Sequence, residues 1–171
     1  MSRRLSHLAR RQRRGLSLLE AAGATAMVAL MLVAALRTVG ASMFAQSRSA
    51  ENASAGFLAT ALMSEIVQQY YQNPVNPVLF GPEPGESGPS RVNFNDVDDY
   101  NGWSESPPQN KDGSLLPNLN GWQRTVTVQW VGSSDVTQSS VAESGVKRIT
   151  VSVVHHNAVR ATSVGIRTNA P

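Results

Sequence analysis

The stretch RRQRRGLSLLEAAGATAMVALMLVAAL, residues 10–36, decides the fold. Arg10, Arg11, Arg13 and Arg14 lead up to Gly15. The 21 residues from Leu16 to Leu36 are apolar except for Glu20 and a few small hydroxyl residues. As a helix at about 1.5 Å per residue this run reaches roughly 31 Å, the thickness of a bilayer's hydrocarbon core. A membrane-spanning helix is therefore expected over 16–36. Glu20 is out of place in it, because a carboxylate at the centre of such a helix costs roughly 2.5–3.5 kcal/mol even on lenient insertion scales.

Charge divides at the same point. The formal charge of the 171 residues is +3. Residues 1–15 carry six arginines and no acid, whereas residues 16–171 carry 9 Lys+Arg against 12 Asp+Glu, a net −3. The alkaline isoelectric point belongs to the basic end alone, so no nucleic-acid partner is expected for the rest. Arginines just before an apolar helix stay cytoplasmic, which sends residues after Leu36 outside the cytoplasmic membrane. The chain has no cysteine, which excludes disulfides, iron–sulfur clusters and thiolate metal sites.

The segment Arg13-Arg14-Gly15-Leu16-Ser17-Leu18-Leu19-Glu20 resembles the prepilin-type leader of type IV pilins and of the pseudopilins of type II secretion. Leu16 and Ser17 stand where that family more usually has Phe and Thr. The resemblance implies cleavage by prepilin peptidase between Gly15 and Leu16, and N-methylation of Leu16. It also implies an assembly role for Glu20, whose carboxylate would pair with the new Leu16 amine of a neighbouring subunit and so offset its burial. An ordinary secretory signal would have a shorter apolar run and a small-x-small cut site, here no nearer than Ala41–Ala45. A plain uncleaved anchor is the other alternative. For Glu20 itself the plain alternative is an acid stabilised by the helix dipole.

Beyond Leu36, no proline interrupts the chain before Asn73-Pro74, and a continuous helix to about Gln72 is expected. Its 37–72 half is amphipathic, with Ala55, Leu58, Ala59, Leu62, Met63, Ile66 and Tyr70 on one stripe. Residues 73–121 form a Pro/Gly/Asn-rich region that hides short elements or carries function. Within it, Phe94-Asn95-Asp96-Val97-Asp98-Asp99-Tyr100-Asn101-Gly102-Trp103 resembles a phrase found in some minor pilin-like proteins, including those of the MSHA pilus type. Residues 122–171 read as three antiparallel strands, Trp122–Val131, Val146–His155 and Val159–Arg167. Val164 and Ile166 are expected inward and Arg124 at an edge. The sum is an α+β fold, a long N-terminal helix packed on a small antiparallel sheet. The family resemblance implies the same fold.

No catalytic constellation is present. The serines lack a nucleophile-elbow context, and His155 and His156 are adjacent, so within a strand they would face opposite ways. Asp96, Asp98 and Asp99 offer oxygens that would suit calcium, but their spacing is not that of an EF-hand. Asx-turns in a solvated loop account for the same residues. No other cofactor is expected. The resemblance implies a minor pilin or pseudopilin, a non-enzymatic assembly subunit. Its expected partners are other pilins and the inner-membrane platform proteins of the assembly machine. The alternative is a membrane-tethered module that binds a ligand through 73–121.

Overall fold

A computed structural model describes residues 17–75 and 79–169. The basic leader, residues 1–15, and the junction at Gly15 and Leu16 lie outside the described residues. The architecture is the expected α+β arrangement. It comprises one helix, α1 (Leu18–Val67), and four strands: β1 (Ser104–Glu105), β2 (Trp122–Trp130), β3 (Val146–His155) and β4 (Ala158–Thr168). The sheet is antiparallel throughout, in the order β1-β2-β3-β4. The chain forms two compact units that meet between Gln46 and Ser47.

The first unit contains the apolar part of α1. None of its most apolar 18-residue window is buried. Leu18, Leu30, Met31 and Leu36 are all more than two-thirds exposed. The helix is long and apolar enough to cross a membrane.

The second unit contains the core. Ala55, Leu58, Ala59, Leu62, Met63 and Ile66 are buried together with Trp122, Val126 and Val128 of β2 and Ile149, Val151 and Val153 of β3. These are the helical stripe and the strand alternation expected from the sequence. Tyr70 does not extend the stripe. The helix ends at Val67, because the backbone of Tyr70 pairs instead with Asn95 and Val97. Tyr70 is left exposed and Tyr71 buried.

Two strand expectations are corrected. Val164 and Ile166 face outward, 60 % and 41 % exposed. A bulge at Val153/Val154 sets the register so that Ala161, Ser163, Gly165 and Arg167 line the helix side. That side takes small residues because the helix lies close: a Cβ on Gly165 would sit 2.7 Å from Met63 Sδ. Arg124 is not at an edge. It is 3 % exposed on β2, flanked by β1 and β3. Its partner Glu105 sits opposite it on β1, a strand too short to read from the sequence.

Candidate functional site

Two places carry the residues singled out by sequence. The first is the start of α1. The Glu20 N–H donates to Ser17 Oγ at 3.2 Å, and the Ala21 N–H to the Ser17 carbonyl at 3.0 Å. Ser17 thus caps the helix, in the Ser-x-x-Glu spacing of a capping box. Glu20 lies in the first turn, where the helix dipole favours an acid. Among the described residues no ion pair engages it. Farther on, the hydroxyls of Thr25, Thr38 and Ser42 donate to the carbonyls of Ala21, Ala34 and Thr38. Their polar groups are satisfied within the helix, as a hydrocarbon environment requires.

The second place is the 94–103 phrase, which folds into the interior. Phe94, Val97 and Tyr100 are buried in the core at every third position, and Trp103 packs against it. A 3₁₀ turn, Asp98–Tyr100, produces that spacing. Asn101 Oδ1 then accepts the Val128 N–H at 3.0 Å, and Gly102 and Trp103 exchange backbone bonds with Val126. The phrase therefore continues β1 along the open side of β2. The acids are not in a solvated loop: Asp96, Asp98 and Asp99 are 0 %, 2 % and 1 % exposed.

Each acid has a different task. Asp98 pairs with Lys147 on β3, and its other oxygen accepts the Gly81 N–H at 3.0 Å. Asp96 Oδ1 accepts the N–H groups of Asp98 and Asp99, an Asx-turn as expected. Asp99 Oδ2 accepts the N–H groups of Asn95 and Asp96. The second oxygens, Asp96 Oδ2 and Asp99 Oδ1, are buried and accept no hydrogen bond. Glu83 comes from the preceding loop and is 8 % exposed. One oxygen each of Glu83, Asp96 and Asp99 lies within 4.8 Å of the others. Burial, and then the Asp98 charge, pushes the Asp96 carboxyl up to about 8. Burial and the hydrogen bond with Glu83 push neighbouring Glu86 up to about 7.

A separate charge network ties the loop to helix and sheet. Arg91, fully buried, donates Nε to Glu65 Oε1 at 2.9 Å and Nη1 to Glu105. Glu105 also holds Arg124. The Tyr100 hydroxyl donates to Glu65 at 2.9 Å. Two arginines and two glutamates so balance, with the Gln109 carbonyl taking further donors from both arginines.

Of the calcium residues expected from sequence, Asp96 and Asp99 converge and Asp98 is taken by Lys147. Glu83 was missed, since no sequence spacing links it to Asp96. The histidines do not face opposite ways along a strand. His155 ends β3 stacked on Trp122 at 4.2 Å between centroids, and His156 has already entered the turn at φ 50°. Comparison of the chain with protein-family models, with curated proteins and with solved structures returns no match.

Proposed function

We propose that the chain is a minor pilin or pseudopilin, an assembly subunit of a type II secretion pseudopilus or a type IV pilus-like filament. One observation carries the reading. α1 starts at a Ser17-x-x-Glu20 cap beside the prepilin-type sequence, and its apolar side chains are uncovered until the stripe that closes the sheet begins at Ala55. A single helix with a bare apolar half and a packed half is what a subunit needs to leave the membrane and join a bundle of like helices.

On this reading prepilin peptidase cuts after Gly15, Leu16 is methylated, and Glu20 pairs with the Leu16 amine of another subunit. The basic leader stays in the cytoplasm and the α+β domain faces away from it. The rival, a tethered module binding through 73–121, is less favoured, because the aromatic and charged residues of the 94–103 phrase are spent inside the domain. Glu20→Ala separates the two. Loss of filament or secretion with normal membrane insertion supports assembly. Unchanged function in that variant supports the tether.

A further inference from the structure

The Glu83, Asp96 and Asp99 carboxylates have a consequence separate from assembly. These acids come from two loop segments and meet away from water. Two of them, Asp96 and Asp99, hold one oxygen on backbone N–H groups and leave the other with no donor. Buried carboxylate oxygens without a partner are costly, and like charges so close repel. The buried cation nearby, Lys147, is committed to Asp98 and to the Tyr71 carbonyl. The protein thus supplies fixed acceptors and leaves the matching positive charge to come from elsewhere.

We propose that Glu83, Asp96 and Asp99 form a calcium site. The donor set is all carboxylate oxygen, which suits a hard cation and disfavours zinc or copper. Three carboxylates, each mono- or bidentate, supply three to six of the six to eight oxygens that Ca²⁺ takes, and water supplies the rest. Mg²⁺ fits less well, since it demands near-ideal octahedral geometry and gives up its waters reluctantly. The Asx-turn at Asp96 and the N–H bonds to Asp99 orient both carboxylates before an ion arrives, so little ordering cost remains. A cavity of about 190 Å³ bounded by Pro82, Phe94, Asp99 and Trp103 gives a way in. Bound calcium would pin the Glu83 segment to the 94–103 phrase and so fix the loop that continues the sheet past β1.

The test uses the full chain in detergent micelles, stripped with chelator and titrated with CaCl₂ by calorimetry. Saturable binding of one ion, with a dissociation constant in the range of about 10⁻⁵–10⁻³ M, is expected. Asp96→Asn and Asp99→Asn keep the oxygens that hold the backbone and should each weaken binding by about 10-fold or more. Glu83→Gln should do the same without touching either Asx bond. Asp112→Asn, on an exposed loop, should bind as wild type does. Absence of saturable binding to wild type up to about 10 mM, well above that range, overturns the proposal. So does wild-type affinity in any of the three carboxylate variants. Should those variants fail to fold, Tb³⁺ on the wild-type chain decides: emission excited through Trp103, abolished by Ca²⁺ and reduced by Trp103→Phe, is expected, and its absence contradicts the site.

Discussion

Lys147 and Asp98 form an ion pair sealed between β3 and the 3₁₀ turn, each side chain only 2 % exposed. The Lys147 ammonium also lies 4.3 Å from the centre of the Tyr71 ring. Breaking a buried pair by removing one partner leaves an uncompensated charge, at a cost of about 3–5 kcal/mol. Lys147→Met should therefore lower stability by about that much. Adding Asp98→Asn should recover part of the loss, because Asn carries no charge and still accepts the Gly81 N–H. A double-mutant cycle by denaturant unfolding measures the coupling.

Gly165 is the point of closest approach between helix and sheet. Gly165→Val should cost about 1–3 kcal/mol through overpacking against Met63. In a Met63→Ala background the same change should cost less, because the colliding sulfur is gone. Thermal unfolding of the four proteins checks this.

Glu65 gives a pH dependence. Burial raises its carboxyl, but the Arg91 hydrogen bond and charge and the Tyr100 hydroxyl outweigh it, and the net position is below the usual carboxylate value. A depressed carboxylate contributes stability above its unfolded pKa and loses it as pH falls through its folded pKa. The unfolding midpoint should thus fall on acidification below the ordinary glutamate range. Glu65→Gln, already lacking that contribution, should show a shallower fall.

Asn101 stands in for a strand backbone by accepting the Val128 N–H. Asn101→Ala leaves that donor without its partner and should cost about 1–3 kcal/mol. Amide hydrogen exchange at Val128 should quicken in the variant, while exchange at Ile149 in β3 should change less.

The long helix and three of the four strands were legible because their periods are strong. The stripe from Ala55 to Ile66 repeats at helical spacing, and Val126, Val128, Ile149, Val151 and Val153 alternate. What escaped was set by distant pairings. Arg124 reads as an interruption of an apolar row until Glu105 is placed opposite it by β1. Asp98 and Lys147 lie 49 residues apart, with no local signal joining them. The inward face of β4 was inverted because a bulge shifts the register and because the helix needs glycine there. The 94–103 phrase was marked by resemblance, but its three-residue apolar spacing fits neither helix nor strand, so its burial was not legible. Ser17 and Glu20 were noted for their family positions, and their local part as a helix cap emerged only from the geometry.

The central claim is that the chain is a processed filament subunit. Intact-mass and N-terminal peptide spectrometry of the protein purified from membranes of its native host tests it most directly. The account predicts a mature chain beginning at Leu16 with one methyl group on its amine. A chain still beginning at Met1, or one beginning beyond Leu36, would contradict it.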